Sequence, residues 1–164
     1  MLKKILLVAL LFLPFGAFAQ DKIAYCNSSE VILNMPEYKQ MQDSLKITQE
    51  AIKADIATME EEYSRKYEAF MKEGENLIET IKIRRMQEIR DLEQRAATYN
   101  EQSQQMLQQL YEQLLLPIQQ KVKDAIQAVG AENNFLYIVD AATLLYVNPS
   151  ASNATDLVKK KLDL

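Results

Sequence analysis

Two long stretches of the chain carry apolar residues at helical spacing. On the first, they recur at intervals of three, four and once seven residues, at Tyr38, Met41, Leu45, Ile52, Ile56, Met59, Tyr63, Tyr67 and Phe70. The second repeats the spacing through Met86, Ile89, Leu92, Ala96, Tyr99, Ser103, Met106, Leu110 and Leu114. Each set forms one stripe along a helix, so the pattern predicts two long helices with coiled-coil-like seams, one of which includes a single Ser.

A polar segment from Lys72 to Asn76, centred on Gly74, separates the two stripes. A glycine with polar neighbours is typical of a helix end, so we expect an antiparallel helical hairpin arm over residues 36–129, with its tip near 72–80. A limb of about 40 residues would be roughly 60 Å long. Apolar spacing resumes at Ile118, so Pro117 is expected to bend the returning helix and not to end it.

The flanking segments have strand composition. Residues 22–27, 135–140 and 144–147 are short and rich in β-branched, aromatic or aliphatic residues, which predicts three strands, the last two as a plausible hairpin. Asn153 can cap a final helix that ends near Lys159 to Lys161. Residues 20–35 and 130–164 are therefore expected to form a β-containing association body with a terminal helix. The fold class is α+β, mostly α.

Three short strands and one small helix enclose little core, and the strand edges would stay open in a single copy. We therefore expect the chain to associate with itself through its strands.

The N-terminus has the pattern of an export signal. Lys3 and Lys4 precede an apolar run over residues 5–15, and Ala17 and Ala19 form a small-x-small cleavage site. The run is too short for a membrane span, which needs about 20 apolar residues. Residues 1–19 are therefore predicted to be a signal peptide that is removed after Ala19.

Composition excludes several classes of chemistry. The 19 basic residues less the two signal lysines leave 17, against 23 acidic residues, so the mature net charge is −6, which does not favour nucleic-acid binding. The chain has no His, and no glycine-rich phosphate motif is present. The acids Glu60 to Glu62 are consecutive and diverge around a helix. We therefore expect no enzyme, no catalytic residue, no metal and no cofactor.

Cys26 is the only cysteine, so it cannot form a disulfide within the chain. It is either a thiol that reacts or pairs between chains, or a small buried hydrophobe on the strand face that it shares with Ala24. The second interpretation is preferred.

A succession of short motifs resembles one family. The chain contains K-I-A-Y-x-N, M-P-E-Y-K, L-x-P-I-x-x-K-V, F-L-Y-I-V-D, L-L-Y-V and N-A-T-D-L-V-K-K-K-L in order along the mature sequence. This is similar to the OmpH/Skp family of periplasmic chaperones. The resemblance implies a soluble periplasmic homotrimer whose strands form a central barrel. Its three arms would hold unfolded outer-membrane β-barrel proteins in a cavity, without ATP.

Candidate client contacts lie on the outer half of the arm. They are aromatic or methionine residues with adaptable apolar surface, namely Tyr63, Tyr67, Phe70, Met71 and Met86. The alternative is that Tyr63, Tyr67 and Phe70 only fill the seam between the two helices. A basic group past the tip, Lys82, Arg84, Arg85 and Arg90, is a candidate contact for a client or for an anionic membrane surface or lipid. The alternative, which is the preferred interpretation, is a solvated helix face.

The arm departs from the familiar members of that family, which are strongly basic. Residues 37–129 hold 13 basic and 17 acidic side chains. A second functional class therefore stays open, a non-catalytic coiled-coil spacer or adaptor of the cell envelope. It would be favoured if the seam used all the apolar residues of the arm.

Overall fold

The computed structural model describes residues 23–164. The predicted signal peptide, residues 1–19, lies outside the described residues. Elements follow one another in the order β1 (Ile23–Cys26), α1 (Ser28–Asn34), α2 (Pro36–Glu73), a 3-10 turn (Gly74–Asn76), α3 (Glu79–Glu132), β2 (Tyr137–Asp140), a second 3-10 turn (Ala141–Thr143), β3 (Ser152–Asn153) and α4 (Thr155–Lys161). The prediction of a mostly helical chain with a small sheet is confirmed.

The described residues divide into two compact units. The helical unit comprises residues 35–119, and the sheet unit comprises residues 23–34 together with 120–164. Helix α3 contributes to both. The predicted limits of arm and body, at residues 36 and 129, stay a prediction.

The first long helix, α2, begins at Pro36. Met35 has extended backbone angles, φ −70° and ψ 134°, and Pro36 takes the first helical position, where a missing N–H costs nothing. Glu37 adds an acidic side chain to the first turn and Lys72 a basic one to the last, both favourable to the helix dipole. The helix then runs for 38 residues without Gly or Pro after its first position.

Cross-helix contacts fix the order in which α2 and α3 meet. Tyr99 donates a hydrogen bond to Asp55 at 2.6 Å, and Lys66 Nζ lies 3.4 Å from a Glu88 oxygen. Arg85 donates to Glu73 at 2.9 Å, next to the turn. Contacts further along α2 therefore involve earlier positions of α3.

Gly74 directly follows the last residue of α2, as the sequence predicts for a helix end. It adopts right-handed helical angles, φ −58° and ψ −32°, so the helix end does not use the left-handed conformation open to glycine. Its amide donates to the Phe70 carbonyl, and the buried Gly74 lies against the Phe70 ring, 3.6 Å from where a Cβ would stand. The end of α2 is therefore marked by the contact between Gly74 and Phe70 and by the 3-10 turn that follows. It involves no left-handed residue.

Pro117 lies inside α3, which continues to Glu132. The prediction that Pro117 does not end the helix is confirmed, and the bend there stays a prediction.

The sheet is three-stranded and parallel, with β1 between β2 and β3. Ile23 pairs with Tyr137 and Cys26 with Asp140. Alternation along β1 places Ala24 and Cys26 in the core while Ile23 is exposed, as the sequence predicted. The C-terminal end of α3 packs against β2. A Cβ on Gly130 would stand 3.6 Å from the Ile138 Cδ1 atom.

The predicted third strand is wrong. Residues 144–147 form no strand, and β3 is instead the pair Ser152–Asn153, which runs parallel to β1. The proposed hairpin between the second and third strands is therefore absent. Residues 144–147 have strand composition but no partner strand among the described residues, and composition alone does not form a ladder.

Helix α1 was not predicted. Its local signal is Asn27 followed by Glu30, because the Asn27 side chain accepts from the Glu30 amide at 3.1 Å and donates to the Glu30 carboxylate at 3.3 Å. Asn27 thus acts as an N-cap for α1, because its side-chain oxygen satisfies a free amide in the first turn.

The predicted final helix is present as α4. Asn153 accepts a hydrogen bond from the Thr155 amide at 2.9 Å, so its side chain satisfies a free donor at the helix start. Val158 is fully buried, and Lys159 and Lys161 form ion pairs with Glu30 and Glu132. Helix α4 thus ties the chain end to both α1 and the end of α3.

Candidate functional site

Tyr63, Tyr67 and Phe70 lie on consecutive turns of α2. The rings of Tyr63 and Tyr67 stack, with centroids 5.9 Å apart and planes 10° from parallel. Tyr63 is half-buried and lines an open groove between α2 and α3 with Met59 and Leu92. Phe70 is half-buried, and Tyr67 is exposed. The seam between the helices therefore uses this aromatic group only in part.

The two methionines of the candidate set are exposed. Met71 shows 63% of its surface to solvent, and Met86 is also exposed. Met86 shows 39% of its surface to solvent, although it continues the apolar stripe of α3.

Exposed isoleucines near the turn were missed from the sequence. Ile78 is 66% exposed and Ile83 is 55% exposed. Ile78 precedes α3, and Ile83 lies three residues before Met86, so apolar spacing alone gives no signal of their exposure. We define the tip patch as the exposed apolar residues Met71, Ile78, Ile83 and Met86.

The interior of the seam lies further from the turn. Ile52, Ile89, Leu92 and Ser103 are buried. Met106 is exposed although it continues the predicted stripe, and Leu107 beside it is half-buried. Leu110 and Leu114, which come later on the predicted stripe, are half-buried, so Met106 departs from the stripe without shifting it.

The basic group is largely engaged by acids and amides. Arg85 pairs with Glu73 at 2.9 Å, and Arg84 lies 3.8 Å from Glu88. Arg90 donates to the Gln87 side chain at 3.0 Å. The sequence placed few acids beside this group, but folding brings Glu73 to it from the other helix. Its local positive field is therefore weaker than the sequence indicates.

The acidic side chains of the described residues do not assemble into a site. No group of three or more Cys, Asp or Glu side chains in residues 23–164 is arranged to hold a metal ion. The Asp55 contact raises the pKa of Tyr99, since the carboxylate accepts the phenolic hydrogen.

Cys26 lies in the core of the sheet unit, as the preferred interpretation expected. Burial raises the pKa of the Cys26 thiol, which the Thr155 hydroxyl opposes by hydrogen bonding. A thiol held protonated in this way is a poor nucleophile.

In the part of the chain that the structure describes, no helix is both long and apolar enough to cross a membrane.

Taken together, these features define a mostly helical protein in which two long helices, α2 and α3, lie in the sequence between strands β1 and β2 of a small parallel sheet. The family model for outer membrane protein (OmpH-like) matches residues 22–162. The chain therefore belongs to the OmpH-like family, which confirms the resemblance drawn from its motifs.

A solved structure supports the same fold. The chain is similar to a crystal structure from Caulobacter crescentus, described as a proposed OmpH-like outer membrane chaperone, with a TM-score of 0.79 and 14% sequence identity. The match covers 88% of this chain and 85% of the other. Comparison with curated protein sequences gave no match.

Proposed function

We propose that this protein is an ATP-independent holding chaperone of the periplasm, which binds unfolded outer-membrane β-barrel proteins and prevents their aggregation. The proposed assembly is a homotrimer, with a barrel-like body built from the strands. An antiparallel helical hairpin arm from each chain would border a shared cavity. Residues 20–35 and 130–164 would form the body and residues 36–129 the arm.

One observation carries this proposal within the OmpH-like family, the exposed tip patch of Met71, Ile78, Ile83 and Met86. All four large apolar side chains are exposed within residues 71–86, around the turn, and exposed apolar surface supports a binding role. Methionine suits varied clients because its flexible thioether adapts to different surfaces. Tyr63, Tyr67 and Phe70 extend the proposed contact set along α2.

The mechanism needs no reaction. An unfolded barrel protein exposes segments of high β propensity that aggregate when they meet. Many weak contacts with the arms would keep such segments apart, and each contact breaks readily when a membrane insertion machine takes the client.

The spacer or adaptor function is less well supported. It requires that the seam between the helices use all the apolar residues of the arm. Tyr67, Met71 and Met86 are exposed, so much of the apolar surface near the turn stays outside the seam. A fixed partner could still cover that surface. Binding of several different unfolded proteins would favour the chaperone, and binding of one folded partner would favour the spacer or adaptor.

The test is a dilution assay. A urea-unfolded outer-membrane β-barrel protein is diluted into buffer with residues 20–164 at one trimer per client and without nucleotide, while turbidity and light-scattering mass are recorded. We expect suppressed aggregation by a species of about three times the monomer mass. An assembled protein that leaves aggregation unchanged would favour the spacer function, and a stable monomer would contradict the assembled body.

A matched pair of variants locates the contact. The double variant Met71→Ser, Met86→Ser should lose at least about half of the suppression, because two adaptable apolar contacts are removed. Met106→Ser alters an exposed methionine of the same helical unit away from the tip patch and should keep the wild-type activity. Equal activity in both variants would place client contact elsewhere.

A further inference from the structure

The methionines of the described chain differ widely in exposure. Met35 and Met41, at the start of α2, are 1% and 3% exposed. Met71, Met86 and Met106 show 63%, 39% and 46% of their surfaces to solvent. A dissolved oxidant has to reach a thioether sulfur to react with it, so the exposed methionines are expected to react before the buried ones.

The single thiol of the chain does not compete for the oxidant. Cys26 carries the only sulfur outside the methionines, and it is 1% exposed in the core of the sheet unit. Burial raises the pKa of this thiol, which keeps it in its less reactive protonated form. Peroxide that meets the folded protein is therefore expected to react first with the exposed thioethers.

Two of these thioethers belong to the tip patch. Met71 lies near the end of α2, and Met86 lies near the start of α3. The other two members, Ile78 and Ile83, have hydrocarbon side chains that peroxide does not oxidise. Oxidation thus changes two of the four side chains of the tip patch.

The reaction is a two-electron oxygen transfer. A lone pair of the thioether sulfur attacks one oxygen of hydrogen peroxide, the O–O bond breaks and an S–O bond forms. The proton on the transferred oxygen passes to the other oxygen, which leaves as water, so the sulfur is oxidised and the peroxide is reduced. The product, methionine sulfoxide, is polar where the thioether was apolar.

We propose that Met71 and Met86 are modification sites at which peroxide oxidation weakens the tip patch as an apolar binding surface. Each sulfoxide places a strong hydrogen-bond acceptor in an apolar contact, and an acceptor that loses water without gaining a donor disfavours binding. The resulting loss of client binding rests on the proposed chaperone function. The modification itself depends only on the exposure of the two side chains.

The fold is expected to survive this change. Met35 and Met41 are buried, and the buried seam residues Ile52, Ile89 and Leu92 carry no sulfur. Methionine oxidation disrupts a protein where the polar sulfoxide is forced into a core. Here the accessible sulfurs lie outside the buried seam.

Peptide mass spectrometry on wild-type residues 20–164 locates the oxidation. During timed exposure to hydrogen peroxide under native conditions, Met71 and Met86 should gain an oxygen atom at least about tenfold faster than Met35 and Met41. The same treatment in urea should remove the difference, because unfolding exposes every sulfur. Equal rates in the native protein would overturn the proposal.

Leucine variants test the consequence. The double variant Met71→Leu, Met86→Leu keeps apolar side chains of similar volume that peroxide cannot oxidise. Met106→Leu removes an exposed methionine of the helical unit away from the tip patch. Each protein is treated with peroxide, catalase destroys the excess, and aggregation of the unfolded barrel protein is then followed without nucleotide.

The oxidised wild type and the oxidised Met106→Leu variant should each lose at least about half of their suppression, because both carry sulfoxides in the tip patch. The double variant should keep its suppression after the same treatment. Equal loss in the double variant would overturn the assignment to Met71 and Met86. Circular dichroism checks the fold, and a loss of helix content on oxidation of the wild type would also contradict the proposal.

An apolar fluorescent dye separates this proposal from the proposed function. Dye fluorescence should fall on oxidation of the wild type and stay unchanged in the double variant, whether or not the protein is a chaperone. An untreated wild type that fails to suppress aggregation, with these dye and mass results in place, would contradict the chaperone function alone. Suppression that survives oxidation confirmed by mass at both methionines would contradict this proposal alone.

Discussion

Thr155 illustrates how single polar groups hold the sheet unit together. It is buried at 2% exposure, and its hydroxyl oxygen accepts from the Asn27 amide at 3.0 Å, just after β1 ends. The same hydroxyl contacts the Cys26 thiol. One side chain of α4 therefore satisfies a backbone donor between β1 and α1, which local sequence patterns cannot reveal because the two residues lie 128 positions apart.

Thr155→Val should lower the free energy of unfolding by about 1–3 kcal/mol, since the Asn27 amide is left without its acceptor. Thr155→Ser should restore most of that loss because it keeps the hydroxyl. Thr143→Val removes an exposed hydrogen bond to the Asp140 carbonyl and should change stability by no more than about 0.5 kcal/mol. Urea unfolding at one fixed protein concentration measures all three, and equal effects of Thr155→Val and Thr143→Val would contradict the assignment.

Cys26 should make stability depend on pH in the alkaline range. Burial raises the pKa of the thiol above its ordinary value of 9.0, so the folded state holds the proton more tightly than the unfolded state does. Its contribution is fully present below pH 9.0 and is lost as the pH rises through the higher folded pKa.

The free energy of unfolding, measured in urea at about pH 7.5 and about pH 10, should therefore fall more in the wild type than in Cys26→Ala. Cys26→Ala is the reference protein, because it lacks the thiol and keeps every other titratable side chain. Parallel pH dependence of the two proteins would show that the thiol has no such role.

At the scale of elements, the long helices were predictable and the short strands only partly so. Helix α2 begins at Pro36 as predicted, because its apolar spacing repeats over ten turns and Pro fixes the start. Strands of two to four residues carry little periodicity, and their existence depends on partners distant in the sequence. This is why Ser152–Asn153 was missed and Leu144–Val147 was wrongly assigned within one chain.

The candidate site was likewise predictable only in part. Met71 was singled out because it falls beside the stripe, and it is exposed. Ile78 and Ile83 were not, since their exposure depends on where the turn ends and on how α3 is rotated. The pairing of Arg85 with Glu73 depends on the same geometry.

Two isoleucines of α2 give an element-scale test of the seam. Ile52 is buried at 7% exposure, whereas Ile47 is 67% exposed on the same helix. Ile52→Ala should destabilise the protein by about 2–5 kcal/mol through lost burial and a cavity. Ile47→Ala should be neutral or slightly stabilising, because Ala has the higher helix propensity. Thermal unfolding with circular dichroism detection compares them, and similar losses would mean that the two helices do not pack along this stripe.

At the scale of the whole molecule, net charge bears on whether a client would be bound by electrostatic attraction or by apolar contact. A strongly basic arm would attract acidic segments over a distance set by the ionic strength. Residues 20–164 carry a net charge of −6, and the basic group is largely paired within the helical unit. In the proposed chaperone function, capture by apolar contact is therefore expected to dominate, and such contact is not screened by salt.

Client affinity should consequently change by less than about threefold between 50 mM and 500 mM NaCl, because few unpaired charges contribute. Fluorescence anisotropy of a labelled unfolded barrel protein measures this dependence. The charge-removing variant Lys82→Gln should bind the client as the wild type does, since the tip patch is intact. Affinity that falls tenfold or more with salt, and falls further with Lys82→Gln, would instead assign capture to the basic group.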